Sequence, residues 1–543
     1  VLLAVAVVLL GLRWAWPLFE GRAPGLGSGE GAAHIWGLLT TSQGLWEHGP
    51  FLRVSGAAHP AGVRRDLLDP VNLLVFGPVW GATGRAALAW AGLGLAWIAA
   101  AAASGWALGR RLGGPGAALL LGLAWAASPY LHGGLLPVGR SEYWPWALWP
   151  LHLALLHDAL HAARPDRRWR RAAAAGLVLG LLAHGGWQPL LFLLLGQVPA
   201  ALLLARGARR PVPVLVVVGG LGALLSLPML VAHLGVEPWW LRRLEGGTGA
   251  GEPLSTPVAS LLGTGGMTGG DAAPFVGWLL PVLAAWAAVR SRAARPWALL
   301  GGALLVVALG PRCSVGSLTL IGPFALLPGS GSLHGPARLA GLAVLPLGIS
   351  IITLFSGSSA GRLGWRGALL LGLLAEGLLW RPRQERPGIP VAPPSSLRAL
   401  LAPLPAGPVA VFWAAATPRE TERDQLLLQL ALEGRVSSVG PSPQAARPLA
   451  PYSVLELGLS RQSPLDHPCA GEEGARLWAA GFRSVLLAYG REGARGRRQR
   501  RERELTALHG APAARTATGV SWQLTEVSPP AACGERLEAG GAI

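Results

Sequence analysis

Long stretches of Leu, Ala, Val and Gly with few or no charges recur from Val1 to about residue 380, and they constrain this chain more than any other feature. A helix crossing a bilayer needs about 20 predominantly apolar residues, fewer where neighbours shield it, because hydrocarbon offers no water to an open backbone. On that measure spans are expected near 1–19, 85–107, 115–134, 143–157, 172–184, 187–205, 212–234, 274–289, 296–310, 337–356 and 367–380, about eleven in all. The expected fold class is an α-helical polytopic membrane protein. A chain that is 51% hydrophobic and 14% charged, with mean hydropathy +0.43, belongs to that class and not to the soluble one.

A net charge of +18 would point a soluble domain towards nucleic acid, but here the cations cluster between apolar runs, as orientation signals do, and nucleic acid is set aside as a partner. The chain has no lysine and its fixed cations are all arginine, so arginine abundance alone says nothing about phosphate binding. One set of connections carries Arg110 and Arg111, Arg164 to Arg171, Arg206 to Arg210, Arg290 to Arg295, and Arg362 with Arg366. These are expected to be cytoplasmic. The alternate connections, apart from the long first one, hold Arg140, Arg242, Arg243, Arg312 and Arg338. The expectation is therefore a bacterial inner-membrane, multi-pass protein with a cytoplasmic amino terminus and an extracytoplasmic carboxy-terminal region. Val1 lies inside an apolar run, so a short piece is expected to precede it, and the absence of an A-x-A site after residue 19 favours a retained span over a removed signal peptide.

The composition changes at about 381. A transmembrane domain over 1–380, with a large first outer loop at 20–84, gives way to a proline-rich linker at 381–399 and then to 400–543, where no run is long enough to span. Strands at 408–413, 483–488 and 519–526, with helices at 418–433, 471–480 and 497–509, suggest a small α/β domain. The arginine-rich run from Arg495 to Arg503, interleaved with Glu502 and Glu504, reads as a solvated helix face, with contact to anionic headgroups as the alternative. Cys313, Cys469 and Cys533 show no metal-ligand spacing; Cys469 and Cys533 either pair or remain two thiols.

The stretch from Glu30 to Asn72 carries acids, histidines and tryptophans in a chain otherwise made largely of Leu, Ala and Gly. A long charged connection between spans is functional more often than incidental, and Ile35, Leu38, Leu39, Leu45 and Trp46 at helical spacing suggest helices at the membrane surface. Three outer acids stand out: Glu30, Asp69 beside Asn72, and Glu142 within GRSEYWPW. Carboxylates on neighbouring loops can share a divalent cation, or one can act as base towards a hydroxyl or amine while the other orients it. Glu30 and His34 fall at i and i+4 on one helix face, with Trp36 two residues on. His48 and His59 share the loop but stand in no chelating spacing to His34, and HDALH at 157–161, with His152, reads as interfacial packing. Arg338, after a Gly/Ser-rich loop at an outer boundary, can grip a lipid-linked phosphate or snorkel to water. Glu376 sits within the last span, where an acid needs a partner.

These pieces come in a recognisable order. An acid followed at +4 and +6 by His34 and Trp36 precedes HPAG and LLDPVNLLVFGP; SPYLHGG closes the third span, GRSEYWPWALWPL opens the fourth, and GPRCSVG and LHGPARLAGLAVLPL lead into the tenth. The chain resembles, over essentially its whole length, bacterial multispanning proteins related to the GT-C glycosyltransferases, which use dolichyl- or polyprenyl-phosphate sugars. The resemblance implies catalytic roles for Glu30 and Glu142, and substrate contacts from His34, Trp36, Asp69, Asn72, Arg140 and Arg338. It also implies a polyprenyl-phosphate sugar donor, a bilayer, and an acceptor that is a lipid, glycan or protein. The first acid is usually aspartate in that superfamily, and no DxD or DxE accompanies Glu142, which weakens a metal-dependent reading. A transporter or an assembly scaffold is the competing function, and a transporter would carry charges deep in several spans.

Overall fold

A computed structural model describes residues 1–25, 34–35, 37–39, 41–42, 53–54, 63–64, 70–136, 139–185, 187–235, 256–257, 275–315, 318–326, 336–355, 363–380, 395–413, 473–479, 481–489 and 495–526. The chain divides into two compact units, one of Val1–Gly27 with Asp66–Gly388, the other of Ser28–Arg65 with Ile389–Ile543.

The first unit is helical. Its elements are α1 (Leu2–Ala15), α2 (Pro70–Thr83), α3 (Ala86–Ala126), a 3-10 turn at Ser141–Leu148, α4 (Trp149–His161), α5 (Pro165–Ala183), α6 (Trp187–Ala205), α7 (Pro211–Gly235), α8 (Leu279–Arg290), α9 (Arg295–Ala308), α10 (Leu339–Phe355) and α11 (Leu363–Leu379). A three-stranded sheet joins β3 (Thr256–Pro257), β4 (Arg312–Val315) and β5 (Leu318–Ile321), with β3 parallel to β4 and β4 antiparallel to β5. Among the described residues, five helices are long and apolar enough to cross a membrane, and four more are apolar but shorter. The count of about eleven is not reached by length and composition alone. The fourth expected span opens with a 3-10 turn, and the span at 274–289 is helical only from Leu279, so irregular backbone takes up part of what the apolar pattern assigns to helix. Helix α2 was not expected; the sequence placed those residues in the first outer loop.

A 41-residue helix would run about 60 Å, twice the hydrocarbon thickness. Helix α3 avoids this by breaking at Gly113 and Gly114, the latter at φ 78, ψ −161, just before Pro115. Its two limbs fold back on each other. A Cβ at Gly105 would lie 2.7 Å from the Leu121 carbonyl, and one at Gly109 would collide with that of Ala117, so a G-x-x-x-G step on one limb meets the backbone of the other. One α3 thus accounts for two expected spans.

Two ends of the unit can be told apart. At one, Arg111 of α3, Asp158 of α4 and Arg171 of α5 meet, with Arg111 Nε 2.9 Å from Oδ1 and Arg171 Nε 3.9 Å from Oδ2. At the other, Arg13 of α1 donates to the carbonyls of Gly377 and Trp380, while Glu376 Oε1 accepts the N–H groups of Trp278 (2.8 Å) and Leu279 (3.1 Å) at the start of α8. The partner that Glu376 needs is therefore a helix N-terminus, where the macrodipole favours an anion. Between the ends, Trp149 Nε1 donates to Gln197 Oε1 (2.7 Å), Gln197 Nε2 lies 2.6 Å from His152 Nε2, and His152 Nδ1 lies 2.9 Å from the Ala175 carbonyl. Since a carbonyl only accepts, Nδ1 carries the proton, Nε2 accepts from Gln197, and the buried imidazole is neutral and fully bonded.

In the second unit β1 (Arg53–Val54) pairs antiparallel with β2 (Val63–Arg64). Residues 34–35, 37–39 and 41–42 are helical, with Ile35, Leu38 and Leu39 buried, while Leu45 and Trp46 of the expected apolar face lie outside the described residues. Farther on, α12 (Ser395–Leu401), β6 (Val409–Trp413), α13 (Glu473–Ala479), β7 (Ser484–Ala488), α14 (Arg495–His509), β8 (Ala514–Thr516) and β9 (Gly519–Gln523) form a small α/β fold with strand order β6-β7-β9-β8. Its core gathers Phe412, Leu477, Phe482, Val485, Leu487, Leu505, Val520 and Trp522. The helix expected at 418–433, Cys469 and Cys533 lie outside the described residues. On α14, Arg500 and Arg501 pair with Glu504, while Glu502 accepts from Tyr489 (2.8 Å) and meets Arg515. Burial beside Glu502 raises the Tyr489 phenol well above its usual range.

Two measurements test these features. Gly105→Leu should force the limbs of α3 apart and lower stability by about 1–3 kcal/mol, read as a fall in thermal midpoint of the detergent-solubilised chain. Burial lowers the His509 imidazole to about 4, below its unfolded value near 6.5, so its contribution is complete above that unfolded value and declines as pH falls from 6.5 towards 4. Hydrogen exchange in β7 and β9 of the full chain should rise from pH 7 to pH 5 more in wild type than in His509→Gln, the comparison at each pH cancelling intrinsic rates.

Candidate active site

The turn Gly139-Arg140-Ser141-Glu142-Tyr143 joins a π-helical segment at Tyr130–Leu135 to the 3-10 turn. Pro145 denies the 3-10 turn one backbone donor, and the segment lies among apolar helices, so side chains must satisfy its carbonyls. Trp144 Nε1 donates to the Leu135 carbonyl (3.4 Å), Asn72 Nδ2 to that of Ser141 (2.8 Å), and both Trp125 and Ser104 to that of Ala147. Trp144 packs in turn against Trp90 at a tilt (4.6 Å) and meets Trp14 edge-on (5.9 Å). From the far side the end of α5 presses in. A Cβ at Gly185 would collide with the Glu142 carbonyl.

Within this frame two arginines are held by adjacent residues. Arg140 Nη1 lies 3.4 Å from Glu142 Oε1, with side chains 17% and 18% exposed. Arg338, just before α10 in a 3-10 turn at Pro336–Arg338, donates from Nη1 to the Tyr143 hydroxyl (2.8 Å), and its Cζ stands 4.9 Å from the centre of the same ring. Trp146 meets that ring edge-on at 4.9 Å. Arg338 is 2% exposed, so it does not snorkel to water. Asn72 and Arg338, distant in sequence, thus converge on the one turn that carries Arg140 and Glu142.

Asn72 is wholly buried, and both ends of its amide are engaged, since Trp97 Nε1 donates to Oδ1 at 2.6 Å. It holds the backbone of Ser141, which places it behind the site. His34 is half-buried in the second unit. Glu30, Trp36 and Asp69, together with His48 and His59, lie outside the described residues. Sequence reasoning missed Tyr143 and the clasping tryptophans; the run Glu142-Tyr143-Trp144-Pro145-Trp146 carried the signal, three aromatics around a proline directly after a charge. Among the described residues no three His, Cys, Asp or Glu side chains gather as a metal site, and the guanidinium beside Glu142 opposes a divalent cation at that carboxylate.

No family model matches this chain, and no curated protein does. Solved structures do. The oligosaccharyltransferase of Archaeoglobus fulgidus in complex with Zn and sulfate aligns with TM-score 0.50 at 13% identity, covering 90% of this chain and 68% of the other. The AglB oligosaccharyltransferase of the same organism, with an inhibitory peptide and a dolichol-phosphate, aligns at 0.49 and 12% over 90% and 69%. ArnT from Cupriavidus metallidurans bound to undecaprenyl phosphate aligns at 0.49 and 15% over 97% and 98%.

The close approach at Gly185 gives a test that leaves every charged group in place. Gly185→Ala should push the Glu142 carbonyl away and cost about 1–3 kcal/mol of stability, measured as a drop in thermal midpoint.

Proposed function

Starting from a multi-pass membrane chain whose fold is that of the GT-C glycosyltransferases, we propose that this protein transfers a sugar from a polyprenyl-phosphate donor to an acceptor on the extracytoplasmic face. The observation that carries the reading is the pairing on one turn of Glu142 with Arg140 and of Tyr143 with the buried Arg338. A carboxylate and two guanidinium groups at a helix boundary combine what such a transfer requires: an anion to orient or deprotonate the acceptor, and cations to hold a lipid-linked phosphate.

The isoprenoid lies between spans and its phosphate meets Arg338 and Arg140. Glu30 acts as base or acceptor orienter and Glu142 as its partner; attack at the anomeric carbon breaks the bond to the phosphate oxygen, and the lipid phosphate leaves. His34, Trp36 and Asp69 line the sugar or acceptor, while Asn72 keeps the Glu142 turn in register. Tyr143 fixes Arg338 through hydroxyl and ring together, so that the guanidinium loses less freedom when it binds. The reading places the amino terminus in the cytoplasm and 390–543 outside, and keeps about eleven spans. It is supported by the meeting of Arg111, Asp158 and Arg171 at the end opposite Arg13 and Glu376, since the positive-inside rule makes the arginine-rich end cytoplasmic. Arg13, Glu376 and Arg338 each stand near a helix end, which favours an enzyme over a transporter.

Membranes containing the chain, supplied with a panel of radiolabelled polyprenyl-phosphate sugars, test the reading. Glu30→Gln and Glu142→Gln should each lower transfer by about 10²–10⁴-fold. Arg338→Ala should raise KM more than it lowers kcat, because the phosphate contact exists before the transition state as well as in it. Equal transfer by all three variants, expressed equally, would leave the turn without a catalytic role.

A further inference from the structure

A polar chain crosses the apolar helices just beyond the Glu142 turn. Trp149, the first residue of α4, donates from Nε1 to Gln197 Oε1 of α6 at 2.7 Å; Gln197 Nε2 donates to His152 Nε2 at 2.6 Å; and His152 Nδ1 donates to the Ala175 carbonyl of α5 at 2.9 Å. Trp149 and His152 are wholly buried and Gln197 is 5% exposed, so none of the three offers an atom to a substrate. Nor can the chain carry a proton. It ends on a backbone carbonyl, which accepts a hydrogen bond and passes nothing on. Polar side chains within spans are costly and mark function by default, and apolar residues of similar volume would fill the space without that cost. The chain supplies instead one fixed arrangement, since a fully satisfied polar network admits few alternatives.

That arrangement frames the turn. Trp149 directly follows Leu148, the last residue of the 3-10 turn. Its ring meets Trp125 edge-on at 6.1 Å, and Trp125 donates to the Ala147 carbonyl at 3.3 Å. Gly196, next to Gln197, lets α6 close on the Trp149 ring, where a Cβ would lie 3.1 Å from Cη2. Between α5 and α6 lies Gly185, whose backbone presses on the Glu142 carbonyl and lies near the Pro145 ring. The chain therefore ties the helix that leaves the turn to the two helices whose junction backs it. We propose that Gln197 and His152 are positioning residues for the Glu142 turn: they hold the Trp149 indole, lock α4 against α5 and α6, and so set the backbone from which Glu142 and Tyr143 project. Their effect on transfer rests on the reading of Glu142 given above; their hold on the turn does not.

The test uses the full chain in nanodiscs with three readouts: thermal midpoint, hydrogen exchange over Ser141–Leu148, and transfer from the panel of radiolabelled polyprenyl-phosphate sugars. Gln197→Leu strands the Trp149 N–H and the His152 lone pair. Its midpoint should fall, exchange in the turn should rise, and transfer should drop about 10²-fold, the effect of a displacement of about 1 Å. Gln197→Glu should keep exchange and transfer near wild type, because one oxygen still accepts from Trp149 while the other shares a proton with His152 Nε2. Gln197→Leu combined with His152→Leu removes both partners together, which costs less than stranding one. The midpoint should then recover, yet exchange should stay raised and transfer low, since Trp149 is still unheld. Transfer that recovers with the midpoint in the double variant overturns the proposal, for the chain would then serve stability alone. Unchanged exchange in Gln197→Leu also overturns it, as does a loss of transfer in Gln197→Glu equal to that in Gln197→Leu. Should Gln197→Leu fail to fold, Trp149→Phe, which deletes the indole N–H and keeps an aromatic ring, must raise exchange in the turn in the same way. A wild-type chain that transfers no sugar removes the donor reading, and exchange in the turn alone then decides whether Gln197 and His152 hold it.

Discussion

Irregular backbone among apolar helices has nowhere to find water, and the first unit depends on how that problem is solved. At Tyr130–Leu135 and again from Gly139 to Leu148 the chain leaves α-helical geometry, and carbonyls there are met by Trp144 from within the segment and by Asn72, Trp125 and Ser104 reaching across from other helices. The same device recurs where Trp90 donates to the Pro24 carbonyl (3.0 Å) and Trp14 to that of Ala91 (3.1 Å). An indole is suited to this, because it buries a large apolar surface and still offers one directed N–H. Tryptophan, with 24 copies, is accordingly more than a filler of space in this chain.

That solution builds the site. Satisfying the carbonyls of Ser141 and Ala147 pins both ends of the short stretch bearing Glu142 and Tyr143, and the glycine at 185 lets α5 close on it. Tyr143 then captures an arginine 195 residues away, and Arg140 engages Glu142 locally. A rigid turn with two cations and one anion is a consequence of backbone satisfaction first and chemistry second. It also explains why a residue such as Asn72, singled out for its polarity, is found behind the site: a buried amide is the group that can serve a carbonyl and an indole at once.

Helix ends are treated by the same logic. Glu376, costly within a span, becomes a cap for α8, and Arg13 completes the carbonyls at the end of α11. At the opposite end Asp158 draws two arginines from neighbouring helices. Charges within or beside apolar segments therefore tie helix termini together in pairs, which fixes the relative depth of α1, α8 and α11 on one side and of α3, α4 and α5 on the other.

The sequence by itself determined the helical membrane class, the location of most helices and the small α/β region with β6, β7 and β9. It did so because apolar run length, arginine spacing and strand alternation are local properties, written within twenty residues. It singled out Glu142, Arg140 and Arg338 as individual polar residues at boundaries, yet not that Glu142 and Arg140 pair, nor that Tyr143 holds Arg338. The glycine contacts that pack the two limbs of α3, the helix α2, the 3-10 opening of the fourth span and the role of Asn72 were decided only by tertiary structure. The physical reason is common to all of them: each turns on which distant side chain answers a particular backbone carbonyl or which backbone a glycine admits, and hydropathy within one segment carries no record of its neighbours.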